Sequence, residues 1–234
     1  MRLDKFISNN TQYSRSEVKR IIKKGILVNG EVIKDSKFDI NPDTDLVTLN
    51  GEELKNIEFV YIMMNKPQGC LSATHDSKDK TVLDLINAED KIKDIFPVGR
   101  LDKDTEGLMF LTNDGELAHK LTSPKKDIFK KYYVEVDGML TDEHVEMFKN
   151  GIVIDKDYRC KSSILEIEKA SSEISSALVQ ISEGKFHQIK KMMRAIGVNV
   201  TYLKRISIGK LILDEKLSLG QYRYLTEEEL DNIK

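Results

Sequence analysis

A polar loop between two apolar runs carries the residues that are best suited to chemistry. In the segment 98–111, Arg100 stands two residues before Asp102, and Asp104 and Glu106 follow at the same spacing. Arginine stays charged at neutral pH and keeps a neighbouring carboxylate ionised. The loop therefore offers a charged carboxylate, either for a reaction or for an ion.

The same carboxylates imitate the start of an EF-hand calcium loop. Asp102, Asp104, Glu106 and Gly107 match positions 1, 3, 5 and 6 of such a loop. Position 12, however, is Asn113 instead of a bidentate glutamate, and the incoming segment contains a proline where an EF-hand has a helix. We therefore expect no metal here.

Three motifs together resemble those of the pseudouridine synthases, in the branch typified by the small-subunit ribosomal enzyme. They are Gly99-Arg100-Leu101-Asp102 followed by Thr105 and Gly107-Leu108, then Lys131-Tyr132-Tyr133, then Gly184-Lys185-Phe186-His187-Gln188-Ile189-Lys190. They occur in the family's order, and the closing segment 220–229 resembles the same branch. With the amino-terminal pattern described below, the resemblance covers nearly the whole chain.

The resemblance implies an isomerase that turns uridine in RNA into pseudouridine. The reaction breaks a C–N glycosidic bond, turns the uracil over and rejoins it through C5, so we expect neither cofactor nor metal. The motif assigns the catalytic carboxylate to Asp102, which either attacks as a nucleophile or removes a ribose proton. Arg100 and Lys190 are the expected cations, and Lys190 is a point charge where the family often has the fork of an arginine. Tyr133 is the ring expected to stack on the uracil.

The expected substrate is the 16S RNA of the small ribosomal subunit, naked or in an assembling particle. A synthase acting on large-subunit 23S RNA shares the three motifs but often adds a basic tail. Here residues 214–234 hold three basic and six acidic side chains, a net charge of −3. An S4-containing, ribosome-associated binding protein without catalysis is the third alternative, although it would not need Asp102, Tyr133 and Lys190 together.

A basic helix and a hairpin precede these motifs. Ser14-Arg15-Ser16-Glu17 predicts a capping box, the helix that follows ends at Gly25, and Asn29-Gly30 predicts a type I′ hairpin. With the opening residues 2–7, this pattern resembles the S4 domain, a small RNA-binding module. A basic helix alone is usually a solvated face. The predicted RNA contacts in this module are Arg2, Lys5, Arg15, Lys19, Arg20, Lys23 and Lys24.

The elements around the loop predict an α+β catalytic domain at 58–234, after an S4-like domain at 1–57. We expect strands at 58–67, 108–112, 132–136, 200–203 and 206–213, and helices at 81–86, from Asn113 or Asp114, and at 187–196. The irregular order of strands and helices favours a large mixed, mostly antiparallel sheet flanked by helices.

Periodicity predicts which side chains of this domain face RNA. In the strand around Tyr133, the alternation points that ring away from the apolar face. In the helix at 187–196 the apolar residues recur at helical spacing, which leaves the basic residues on another face. The predicted RNA contacts here are Lys131, His187, Gln188, Lys191 and Arg194.

The composition is that of an ordinary soluble protein, which we expect to be cytosolic, and its charge is unevenly distributed along the chain. The 234 residues carry a net charge of −2, but residues 1–37 hold nine basic against four acidic side chains, and residues 185–210 hold seven against none. Such local basic fields steer RNA. Cys70 and Cys160 have no metal-site spacing and are expected to be reduced thiols. No apolar run predicts a membrane span, and we expect a monomer.

Overall fold

The computed structural model describes residues 1–11, 13–54, 59–90, 94–124 and 126–234. The chain divides into two compact units, Met1–Glu58 and Phe59–Lys234. The domain boundary predicted at residues 57 and 58 lies outside the described residues. Among the described helices, none has the length and apolar character needed to cross a membrane.

The first unit contains two helices and a four-stranded antiparallel sheet. The helices are α1, Leu3–Asn10, and α2, Arg15–Lys24. The strands are β1, Ile26–Val28; β2, Glu31–Ile33; β3, Val47–Leu49; and β4, Glu52–Glu53. Their order in the sheet is β2-β1-β3-β4.

The local signals of the sequence specify this unit. The Ser14 amide donates to Glu17 Oε2 over 2.8 Å, so the capping box starts α2 as predicted. Asn29 and Gly30 both have positive φ, 53° and 84°, as a type I′ turn requires, and the hairpin is confirmed. The apolar faces of both helices pack on β1 and β3 around the fully buried Val18.

The second unit alternates strands and helices. Its first strands are β5, Tyr61–Lys66; β6, Phe96–Pro97; β7, Glu106–Thr112; and β8, Lys130–Asp137. These are followed by β9, Val153–Ile154; β10, Tyr158–Arg159; β11, Ile164–Lys169; β12, Ile174–Ile181; β13, Asn199–Ile208; β14, Leu211–Ile212; and β15, Tyr222–Tyr224. The helices are α3, Gly115–Thr122; α4, Asp142–Asn150; α5, Gln188–Ala195; and α6, Glu227–Ile233.

The strands form a nine-stranded sheet, with β9 and β10 as a separate pair. The main path is β11-β12-β8-β13-β7-β5-β15, with β14 beside β13 and β6 beside β7. Among the described residues, β13 runs parallel to β7, and the other named pairs of this sheet are antiparallel. The predicted α+β class with a large mixed, mostly antiparallel sheet is confirmed. Every residue of β7 is buried, because apolar clusters cover both of its faces.

Four predicted elements differ most from the observed ones. The strand predicted from residue 58 begins at Tyr61. The helix predicted at 81–86 is a 3-10 helix, Val82–Leu85. The strands predicted at 200–203 and 206–213 are one long strand, β13, followed by a hairpin to β14. Register shifts within β13 let it follow β8 across the intervening polar residues without ending.

Gly107 lets the sheet close beside the polar loop. It has φ of +100°, and a Cβ at this position would lie 2.2 Å from the Arg205 carbonyl oxygen. The close approach of β13 to β7 at the end of the loop therefore requires glycine. The polar loop before β7 therefore joins the sheet at a fixed position.

Candidate active site

The segment before β7 is pinned to the turn that follows β5. The Leu101 carbonyl oxygen accepts a hydrogen bond from Ser72 Oγ over 2.9 Å, and the Leu101 amide donates to Ser72 Oγ over 3.0 Å. The Gly69 amide donates to the Lys103 carbonyl oxygen over 2.8 Å. These backbone and side-chain bonds fix residues 101–103 on both sides of Asp102.

Lys66 supports the loop from inside the protein. Its side chain is fully buried, and Nζ donates to the carbonyl oxygens of Thr105, Pro67 and Asp102 at 2.8, 3.0 and 3.1 Å. Burial lowers the pKa of the Lys66 ammonium, against the opposing influence of Cys70 and of the carboxylates of Asp104 and Asp102. Sequence reasoning missed this role, although a lysine ending a run of buried strand residues was a usable signal.

The Asp102 carboxylate lies between two basic side chains. Lys190 Nζ is 3.1 Å from Asp102 Oδ2, and His187 Nε2 is 3.5 Å from Asp102 Oδ1. The structure thus brings Asp102 and Lys190 together, as the motifs predict. Arg100 is exposed and lines a cleft together with Asp102, but among the described residues the lysine or arginine that pairs with Asp102 is Lys190.

Lys190 also binds Asp104, at 2.6 Å from Oδ1. The hydrogen bond from Lys190 lowers the pKa of Asp104. Burial acts to lower the pKa of Lys190, but its hydrogen bonds with Asp104 and Asp102 outweigh burial and the pKa is raised. One ammonium is therefore shared by two carboxylates, and it stays charged at neutral pH.

Two adjoining cavities meet at Asp102. The outer cleft, of about 820 Å³, and the inner recess, of about 70 Å³, share Arg100, Asp102, His187 and Lys190 in their walls. Tyr132, which is 7% exposed, lines the inner recess. The carboxylate is therefore accessible from the outer cleft and faces a tyrosine ring within.

Tyr132, and not the predicted Tyr133, lines the inner recess that Asp102 also lines. Successive side chains of β8 point to opposite faces of the sheet, so Tyr133 lies on the side away from Tyr132. The Tyr133 hydroxyl donates to Glu135 Oε1 over 2.9 Å, and its ring packs edge-on against Tyr202 at 6.1 Å. In the second motif, a lysine stands two residues before a tyrosine, as in Lys131 and Tyr133. Because two lysines and two tyrosines are consecutive here, Lys130 and Tyr132 meet the same spacing.

Two predicted RNA contacts of this domain are engaged elsewhere. Lys131 shares the face of Tyr133 and pairs with Glu166 at 3.7 Å. Gln188 is 4% exposed, donates from Nε2 to Glu183 Oε1 over 2.7 Å and accepts at Oε1 from the Lys185 amide over 2.9 Å. Both ends of its amide brace the turn before α5, and the buried Gln188 also lines the inner recess.

The remaining predicted contacts are at the surface. His187 lines the cleft, Lys191 binds Asp155 at 2.6 Å, and Arg194 is exposed. In the first unit all seven predicted basic residues are exposed, namely Arg2, Lys5, Arg15, Lys19, Arg20, Lys23 and Lys24. Arg2, however, is bound to Asp4 at 2.6 Å.

A model of the RNA pseudouridylate synthase family matches residues 60–195, more than half of the chain. A model of the S4 domain matches residues 1–47. The chain belongs to the RNA pseudouridine synthases. The family indicated by the three motifs is therefore confirmed, and so is the amino-terminal S4 domain.

Two relatives and one solved structure match this pseudouridine synthase over 98–100% of its chain. It is 47% identical to an uncharacterized RNA pseudouridine synthase of Bacillus subtilis, over 98% of this chain and 97% of the relative. It is 36% identical to the ribosomal small subunit pseudouridine synthase A of Escherichia coli K12, over 100% of both chains. A crystal structure of a pseudouridylate synthase, 34% identical, superposes with a TM-score of 0.70 over 100% of both chains.

Proposed function

We propose that this synthase isomerises uridine to pseudouridine in 16S ribosomal RNA, with Asp102 as the catalytic carboxylate. The observation that carries the role of Asp102 is its position where the two cavities meet, between Lys190 and His187, on a loop whose backbone is fixed by Lys66. The 36% identity over full length to small-subunit synthases supports the 16S target.

The isomerisation conserves atoms, so the site has to move bonds and one proton. The bond between N1 of uracil and C1′ of ribose breaks, a bond between C5 and C1′ forms, C5 loses its proton and N1 gains one. Asp102 starts the sequence either as a nucleophile on the ribose or as a base for a ribose proton. In both cases Lys190 places a positive charge 3.1 Å from this carboxylate.

Tyr132 takes the role that the sequence had given to Tyr133. Its ring lines the inner recess beside Asp102, where a uracil detached from its ribose has to turn over. A uridine that leaves an RNA stack loses its neighbours, and an aromatic ring replaces this stacking at roughly 1–3 kcal/mol per base. We assign the binding of the flipped uracil to Tyr132.

We assign contacts with RNA phosphates to the exposed basic residues of the S4 domain. Phosphate contacts position a protein on RNA without reading its sequence. The substrate is ribosomal RNA, naked or in an assembling subunit, so the enzyme works in the cytoplasm where subunits are made.

Mapping of pseudouridine in ribosomal RNA tests this function. We expect a strain without the protein to lose pseudouridine at a 16S position, and the wild-type gene, but not the Asp102→Asn gene, to restore it. Loss from 23S RNA would overturn the target and favour the large-subunit alternative. An unchanged map of both RNAs would overturn the proposed function.

A further inference from the structure

Phe186 is an exposed aromatic ring at the rim of the cleft. It is 73% exposed, more than any other large apolar side chain among the described residues. It lies in the turn between β12 and α5 and lines the outer cleft together with His187 and Lys190. An exposed aromatic ring in the wall of a cleft offers a stacking surface for a nucleic-acid base.

The ring is held in place although it is exposed. It stacks on the His187 imidazole, with ring centroids 3.8 Å apart and planes inclined by 21°. Lys191 Nζ is 5.4 Å from the centre of the Phe186 ring and is itself anchored to Asp155 at 2.6 Å. The stacked pair of Phe186 and His187, called here the rim platform, therefore loses little freedom when a ligand binds.

His187 connects the rim platform to the catalytic carboxylate. Its backbone is left-handed, with φ of 53°, where the chain enters α5, and this directs its ring. Nε2 is 3.5 Å from Asp102 Oδ1. The imidazole therefore contacts Asp102 at its edge and Phe186 at its face, so Phe186 lies one stacked ring further from the carboxylate.

The position and charge of the rim platform indicate its ligand. Tyr132 belongs to the inner recess and Phe186 to the outer cleft, so a strand whose uracil reaches Tyr132 has to pass through the cleft that Phe186 lines. Lys185 and Lys190 line the cleft together with Phe186, and Lys191 lies over the Phe186 ring, so cations border this part of the cleft, which suits a phosphate backbone. An aromatic ring among cations is the arrangement that binds single-stranded bases.

We propose that the rim platform stacks on the base adjacent to the target uridine in the RNA strand. The proposal rests on the proposed function and adds a second base, which the enzyme binds but does not modify. Flipping a uridine out of a stack also leaves its neighbour without one partner. Phe186 replaces that partner and keeps the strand open.

Binding of 16S RNA fragments that span the mapped uridine tests the proposal. Each fragment carries 2-aminopurine at one of the two adjacent positions, and its fluorescence reports stacking as well as affinity. We expect Phe186→Leu to weaken binding about 5- to 150-fold and to lose the fluorescence quenching at one adjacent position. Phe186→Trp should bind like wild type. Phe59→Leu, at an exposed phenylalanine next to Tyr61, is the matched control and should also bind like wild type.

A thermodynamic cycle separates stacking from a general loss of binding. On a fragment that is abasic at the stacked position, wild type and Phe186→Leu should bind equally. Equal affinities on the intact fragment, or the same loss on intact and abasic fragments, would overturn the proposal. Failure of the proposed function shows separately, as wild-type enzyme that binds the fragment without forming pseudouridine, because affinity and quenching do not depend on turnover.

Discussion

We expect the Lys66→Met substitution to loosen the loop that carries Asp102 while leaving the contacts between the enzyme and RNA unchanged. Three carbonyl oxygens lie 2.8–3.1 Å from Lys66 Nζ. A buried acceptor left without a donor costs roughly 1–3 kcal/mol, so three cost about 3–9 kcal/mol. Methionine also removes the cost of several kcal/mol for burying an ammonium. We expect a net loss of about 2–4 kcal/mol in the free energy of unfolding and a fall in Tm of about 5–15 °C.

The rate reports on the position of the loop. A displacement of about 1 Å at a catalytic group lowers the reaction rate roughly 100-fold. At a temperature where the variant is folded, the single-turnover rate at saturating enzyme should therefore fall about 10- to 100-fold. RNA affinity should stay within about threefold, since a buried side chain makes no contact with RNA. Lys103→Met is the control on the same loop, because this half-exposed lysine pairs with Asp79 at the surface. A Lys66→Met enzyme with wild-type Tm and rate would refute this reasoning.

Three further predictions follow from the site and from the S4 domain. Tyr132→Leu should abolish turnover whereas Tyr133→Leu keeps it, and the reverse order in single-turnover assays would restore the sequence-based choice. The pKa of Lys190 is raised above 10.5, so its charge persists below that pH and is lost only above it. Lys190→Arg and wild type should therefore show the same pH–rate profile from pH 6 to about 9.5. A loss of rate over that range in wild type alone would contradict this prediction. A truncated chain beginning at Phe59 should bind RNA more weakly and with a shallower salt dependence, by roughly 0.7–0.9 in slope per lost phosphate contact, and an unchanged slope would show that the basic helix is only solvated.

Local signals in the sequence were sufficient for the first unit and for the carboxylate. The capping box at Ser14 and the turn at Asn29-Gly30 depend on neighbours within a few residues, so sequence specifies them. The motifs predicted that Asp102 and Lys190 lie close together, and the structure brings them to 3.1 Å.

The other site residues depend on tertiary contacts that periodicity does not reveal. Alternation showed that Tyr132 and Tyr133 face opposite sides of the sheet, but not which side faces the polar loop. A glutamine in a basic motif suggests RNA contact, whereas Gln188 is buried because the turn before α5 needs both ends of its amide. The burial of Lys66 follows from carbonyl groups that converge from two separate segments.

Asp104 also changes how the catalytic carboxylate has to be tested. Asp104 stands two residues after Asp102 on the same loop, so Asp104→Asn would be the nearest control variant. In the structure both carboxylates share Lys190, so Asp104→Asn alters the charge balance at Asp102. Asp127, an exposed residue that pairs with Lys161, offers a control carboxylate outside the cleft.

Single-turnover conversion of a 16S RNA fragment by Asp102→Asn tests the central claim most directly. Asparagine keeps the shape of the side chain and removes the ionised oxygen, so we expect no pseudouridine above background, RNA affinity within a few-fold of wild type, and a wild-type rate for Asp127→Asn. An Asp102→Asn enzyme that retained more than a few per cent of the wild-type rate would contradict the assignment of Asp102 as the catalytic carboxylate.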